Sequence, residues 1–194
     1  MISHQYQFIF VHAGRTGGSS FERMTGIELT EDERTKHTGN TDFPEKHNDF
    51  QYYKSNYPGE FQSFFKFTIV RNPFDRLCSA WLWQTRVVKN IPPVTLKEFI
   101  ATRPGSHTYA EKFKLEGLSI EQSILHFDFV GRFEDLINTY QYLCNKLNLP
   151  DIEIPHTNKT PSGRYQDYYD QDTIHLLKQK YGTDLELFGY NFSY

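Results

Sequence analysis

Two short apolar runs, each passing at once into a turn rich in anion-holding groups and then into a helical pattern, constrain this chain more than any other feature. The first reads Phe8-Ile9-Phe10-Val11-His12-Ala13-Gly14-Arg15-Thr16-Gly17-Gly18-Ser19-Ser20, and the second Phe67-Thr68-Ile69-Val70-Arg71-Asn72-Pro73-Phe74-Asp75-Arg76-Leu77-Cys78-Ser79. Residues 6–11 and 66–70 have the apolar density of buried strands. Asn72-Pro73 marks a helix start, because Asn can cap and Pro is tolerated at the first helical position. Strands that feed helices through tight turns build α/β folds, in which a parallel sheet carries helices on both faces.

The rest of the chain continues that alternation. Helices are expected from about Ser19, from Pro73 to about Val88 and from Thr95 to Ile100. A third strand is expected at Phe127–Gly131. The helix expected at Glu134–Leu147 places Leu136, Tyr140, Leu143 and Leu147 on one face, and a last helix runs from Gln171 to Tyr181. Residues 28–62 are polar and broken by Gly39, Pro44, Pro58 and Gly59, so they read as irregular structure with short helices. Residues 102–118 have no clean periodicity, and Pro150–Gly163 reads as a loop. The expectation is an α/β fold with a P-loop-like central parallel sheet flanked by helices on both faces. At 194 residues it forms a single domain, 1–194.

Composition narrows the partners. The hydrophobic fraction is only 38%, but 17 Phe and 13 Tyr bring large buried areas to a core. A formal net charge of -3 gives no global attraction to nucleic acid or to an anionic membrane, so anion binding must be local. Cys78 and Cys144 sit within apolar helical patterns and read as buried free thiols, which suits a reducing compartment. With no apolar stretch near the ~20 residues of a membrane span and no secretion signal, the expected location is cytoplasmic.

In the first turn Gly14, Gly17 and Gly18 leave room for successive amide hydrogens to converge on an anion, and the following helix adds its N-terminal amides. Thr16, Ser19 and Ser20 supply hydroxyls and Arg15 a permanent cation. In the second turn Arg71 stands where strand meets helix, and Ser79 lies two helical turns onward. Arg grips phosphate with parallel hydrogen bonds and Ser adds another. Taken alone, Arg71 is equally suited to pairing with an acidic residue. Arg76 reads as structural, bonded to Asp75 or to a strand end.

Together the two turns resemble those of the sulfotransferases, in particular the carbohydrate-sulfotransferase-like branch. That branch opens with a His-x-x-Lys-Thr-Gly-Gly-Ser/Thr-Ser loop, matched by His12 to Ser20, and carries a Val-Arg-Asn-Pro-Phe/Tyr-Asp-Arg-Leu-x-Ser-Ala block, intact from Val70 to Ala80. Further similarity lies in Phe129 to Leu136, in His156-Thr157-Asn158-Lys159 and in the tail from Tyr168 to Tyr190. The resemblance implies the donor 3′-phosphoadenosine 5′-phosphosulfate (PAPS), with adenosine 3′,5′-bisphosphate (PAP) as product. It implies 5′-phosphosulfate ligands at Arg15, Thr16, Gly17, Gly18, Ser19 and Ser20, and 3′-phosphate ligands at Arg71 and Ser79. A late loop with Ser162, Gly163 and Arg164 would close the donor site. Phe133 has two open readings, beside the adenine or in the core. One departure stands out: the family's loop lysine is Arg15 here, which keeps the charge on a bulkier, planar group.

In-line sulfuryl transfer needs a base for the acceptor hydroxyl. His37, in Lys36-His37-Thr38, occupies the place where the resembling enzymes carry a His or Glu base, so His37 and Arg15 are the catalytic candidates. His12 reads as a residue that orients the loop, with His47, Glu45 and Glu22 as lesser candidates for the base. A sulfuryl group carries less charge than a terminal phosphoryl group, so no metal cofactor is expected. The acceptor class implied is a hydroxyl, with a glycan foremost. Tyr52, Tyr53, Trp83 and Tyr109 are candidates to stack on sugar faces, and Lys89, Arg103, Lys112 and Lys114 to meet an acidic glycan.

Two rivals are defined by what they would require. A phosphate-loop kinase or NTPase needs Gly-Lys-Ser/Thr and a strand-end Asp, whereas this loop ends Gly18-Ser19-Ser20 and the second strand ends at Arg71. A non-catalytic nucleotide-binding relative would keep both turns without turnover.

Overall fold

Four strands, β1 (Ile2–Ser3), β2 (Phe8–Phe10), β3 (Phe65–Val70) and β4 (Phe129–Arg132), form one sheet in the order β1-β2-β3-β4 in the computed structural model. It describes residues 1–24, 48–87, 94–149 and 163–193. Among these the helices are α1 (Gly18–Met24), α2 (Phe50–Asn56), α3 (Pro58–Ser63), α4 (Pro73–Val87), α5 (Leu96–Thr102), α6 (Tyr109–Lys112), α7 (Ile120–Ile124), α8 (Leu136–Leu147) and α9 (Gln171–Phe188). Strands β2, β3 and β4 are parallel, with Phe10 opposite Phe67 and Phe67 opposite Phe129. The parallel expectation needs one amendment, because β1 adds to the edge antiparallel to β2. A two-residue strand leaves no periodicity to read.

The chain divides into two units, residues 1–70 with 112–155 and residues 71–111 with 156–194. The first holds the sheet. Side chains alternate across a strand, so Phe8, Phe10, Phe67 and Ile69 share one face, where they cluster with Phe21 of α1 and with Tyr140, Leu143 and Leu147 of α8. Phe10 and Phe67 stack at 4.6 Å, and Phe21 meets both rings edge-on at 5.6 and 5.3 Å. Each fully buried Phe contributes about 1.5–3 kcal/mol of transfer free energy. The opposite face is covered from α2 and α3. Lys66 lies 5.9 Å over the ring of Phe61, and Phe50 stacks on Phe127 at 4.0 Å. The α8 face expected from its periodicity is the buried one, and Phe133 packs against the same core.

The second unit is helical. Asn72 caps α4 through Oδ1, which accepts from the Phe74 N–H at 3.1 Å. Helix α5 starts with a capping box between Thr95 and Glu98. At its other end Lys180 Nζ donates to the carbonyls of Ile100, Ala101 and Arg103 at 2.9, 2.8 and 2.9 Å. Helix α9 is interrupted at Tyr181 (φ -119, ψ 17), where the sequence pattern was expected to end it, and then resumes to Phe188. Both cysteines are free thiols; Cys78 is buried and Cys144 half-buried.

Candidate functional site

The first turn begins where β2 ends. The Val11 N–H still donates to the Phe67 carbonyl at 3.0 Å, and the Thr68 hydroxyl returns to the Val11 carbonyl at 2.8 Å, so the strand end is held before the turn starts. Beyond it Arg15 adopts φ 67 and Gly17 φ 89. The left-handed region costs a residue with a Cβ about 1–2 kcal/mol, so the loop geometry holds Arg15 in a conformation that it does not prefer. The Thr16 side chain is buried and donates to the Ala13 carbonyl at 2.6 Å, bracing the loop from within.

Gly17 and Gly18 are required by close approach. A Cβ on Gly17 would fall 2.8 Å from the Tyr140 hydroxyl oxygen and 3.2 Å from Leu136. On Gly18 it would fall 2.2 Å from the His12 ring. The Gly17 carbonyl accepts from the Tyr140 hydroxyl at 2.7 Å and from the Ser20 and Phe21 N–H groups at 2.8 and 3.2 Å, which launches α1. His12 is buried and stacks on Phe10 at 5.3 Å, as suits a residue that orients the loop. Ser19 is half-buried and Ser20 buried.

The second turn continues from β3. The Arg71 Nε donates to Asp75 Oδ2 at 2.7 Å, an ion pair one helical turn apart. Its backbone is held from a distance in sequence: the Arg71 N–H donates to the Tyr109 hydroxyl at 2.8 Å, and that hydroxyl donates to the Arg71 carbonyl at 3.0 Å. Ser79 is buried on α4. Arg76 bonds neither to Asp75 nor to a strand end: Asp75 and Arg76 are sequence neighbours on α4, and adjacent side chains on a helix do not face each other. Arg76 donates through Nη2 to the His107 carbonyl at 2.8 Å and stacks 4.2 Å over the ring of Tyr109. Asp184, fully buried, lies 3.9 Å from Arg76 Nη2 and accepts from the Tyr109 and Ala110 N–H groups at 2.7 and 2.8 Å.

Burial dominates the titration of this cluster. It raises the Asp184 carboxyl above its ordinary range against the opposing pull of Arg76 and the two N–H groups. It pushes the Tyr109 phenol up to about 12 despite the neighbouring arginines.

Of the other expected site residues, Gly163 and Arg164 are exposed ahead of the 3-10 turn Tyr165–Tyr168. His37 and Ser162 lie outside the described residues. Tyr53 and Tyr109 are 2% and 0% exposed, which removes them from the set offered for sugar stacking; Tyr52 and Trp83 are half-buried. Among the described residues no group of three or more His, Cys, Asp or Glu is placed to hold a metal ion, and no helix is long and apolar enough to cross a membrane.

Tyr140, Tyr109 and Asp184 support the turns from outside their motifs. Tyr140 carried a usable signal: a Tyr on a buried helix face needs a partner for its hydroxyl.

The profile described as "Sulfotransferase family" matches residues 1–191, so both turns lie within it. No curated protein matches the chain. Among solved structures, mouse sulfotransferase SULT7A1 complexed with PAP aligns with a TM-score of 0.52 at 11% identity, covering 98% of this chain and 91% of that one. At that identity the likeness is one of fold.

Proposed function

Because the chain belongs to the sulfotransferase family, we propose that it acts as one catalytic domain, moving a sulfuryl group from PAPS to a hydroxyl of a carbohydrate acceptor and releasing PAP. The observation that carries this reading is that the family match spans both turns. The parallel strands β2 and β3 lead directly into them. The donor set suits the ligand: amides, serine hydroxyls and a permanent cation in the first turn, a guanidinium and a buried serine in the second.

In this reading the Gly17, Gly18, Ser19 and Ser20 segment receives the 5′-phosphosulfate. The Thr16 hydroxyl braces the loop, so its ligand role falls to its N–H. Arg15 neutralises charge on the departing 5′-phosphate as the bond from sulfur to the bridging oxygen breaks. His37 takes the proton of the acceptor hydroxyl as its oxygen bonds to sulfur. Arg71 and Ser79 hold the 3′-phosphate, and the segment of Ser162, Gly163 and Arg164 closes over the donor. No metal is assigned a role.

Transfer of sulfate from PAPS to a panel of glycans and simpler hydroxyl compounds tests the proposal. Acceptor-dependent PAP release with a sulfated product is expected, and His37→Ala should keep PAP affinity while losing transfer. Full activity in that variant would move the base elsewhere. Magnesium-dependent binding that favours ATP over PAP would overturn the donor assignment.

A further inference from the structure

The β3–β4 pairing runs to Val70, opposite Arg132. At the next residue, Arg71, one side chain serves both the N–H and the carbonyl. The Tyr109 hydroxyl accepts from the Arg71 N–H at 2.8 Å and donates to the Arg71 carbonyl at 3.0 Å, across 38 residues of sequence. Tyr109 is itself fixed from every side: its N–H is bonded to Asp184, the Arg76 guanidinium covers its ring at 4.2 Å, and Phe188 meets the ring edge-on at 5.4 Å.

This is an expensive way to fill space. A Phe at 109 would occupy nearly the same volume without a buried hydroxyl to satisfy, and a buried Asp184 carries a desolvation cost that an apolar residue would not. What the hydroxyl adds is a fixed backbone at one residue, Arg71. A guanidinium attached to an anchored Cα loses less freedom on gripping an anion, which is how supporting groups raise affinity. Asp75 orients the other end of the same side chain through Nε.

We infer that Tyr109 is a positioning residue for anion recognition, fixing the backbone of Arg71 so that the guanidinium is aimed before the ligand arrives, with Asp184 and Arg76 holding Tyr109 in place. The inference rests on the reading of Arg71 as a 3′-phosphate ligand and adds a residue outside the two turns. Tyr109 does not touch the ligand; it acts through Arg71. A hydroxyl that served only the core would affect every ligand alike.

The test is calorimetric titration of the parent, Tyr109→Phe, Arg71→Ala and the double variant with two probes: PAP, and adenosine 5′-phosphosulfate, which lacks the 3′-phosphate. Tyr109→Phe should weaken PAP about tenfold, the worth of one or two hydrogen bonds, leave adenosine 5′-phosphosulfate unchanged and add nothing in the Arg71→Ala background. Undiminished PAP affinity, or equal losses for both probes, overturns the inference and leaves the donor reading standing. A parent protein that binds no PAP overturns the donor reading and the inference with it. Hydrogen exchange at the Arg71 amide of the unliganded parent provides a second measurement that needs no variant. Slow exchange is expected, and exchange as fast as that of an open loop overturns the anchoring.

Discussion

Gly18 lies so close against His12 that a methyl group on its Cα would fall 2.2 Å from the imidazole Cδ2 and Nε2. Both residues are buried, so neither can yield without moving the loop. Gly18→Ala should therefore destabilise the protein by about 1–3 kcal/mol, as overpacking does, and weaken PAP binding more than distant core changes of equal cost. Removing the ring should relieve the clash, so His12→Ala combined with Gly18→Ala should cost less than the sum of the two single changes. Denaturant unfolding of the three variants measures this; strict additivity would show that the two residues do not collide.

Tyr140 reaches from α8 to the Gly17 carbonyl, which also accepts from two backbone N–H groups. Because that carbonyl keeps the backbone bonds, Tyr140→Phe should cost only about 1 kcal/mol. Gly17→Ala should cost more, since it places a Cβ at φ 89 and 2.8 Å from the same hydroxyl. Ranking the two variants by urea midpoint checks the order.

Arg71 uses Nε for Asp75, so the two ends of its planar group can do separate work. Lysine offers a single charged point. Arg71→Lys should keep charge yet lose about tenfold in PAP affinity, with the melting temperature little changed. Retention of full affinity would mean that charge alone is read at this position.

Two groups of the buried cluster make stability depend on pH. Asp184 has its pKa raised by burial above the ordinary 3.8, so the folded state holds that proton more tightly than the unfolded chain does. Its contribution is full below pH 3.8 and is lost as pH rises through the folded value. Asp184→Asn should remove that slope, which unfolding free energies across the acid range will show. Tyr109, raised from 10 to about 12, adds a second limb: its stabilisation is present below pH 10 and fades as pH approaches 12. Tyr109→Phe should reduce the alkaline loss without abolishing it, because burial raises the Tyr169 and Tyr181 phenols as well.

Much of the sheet was legible because β2, β3 and β4 are short apolar runs that end in turn residues, and α4 begins at the expected Asn72-Pro73 signal. Helices α2 and α3 were foreseen only as short helices in a polar stretch, since Phe50, Tyr53 and Phe61 are spaced across two helices and bury only through their packing partners. The loop braces were invisible for a different reason. Tyr109 and Asp184 are 75 residues apart, and Tyr140 and Gly17 are 123 apart. No local pattern encodes such pairs. Arg76 was rightly read as structural, but its partners, the His107 carbonyl and the Tyr109 ring, come from a segment without periodicity.

Under the proposed function the first turn holds the 5′-phosphosulfate of the donor and the second its 3′-phosphate. Calorimetric titration of PAP and of adenosine 5′-phosphosulfate into the parent, Arg15→Ala and Arg71→Ala proteins tests this assignment most directly. The parent should bind both ligands, Arg71→Ala should lose affinity for PAP alone, and Arg15→Ala should lose affinity for both. A parent protein that binds no PAP, or an Arg71→Ala variant that binds it undiminished, would contradict the assignment.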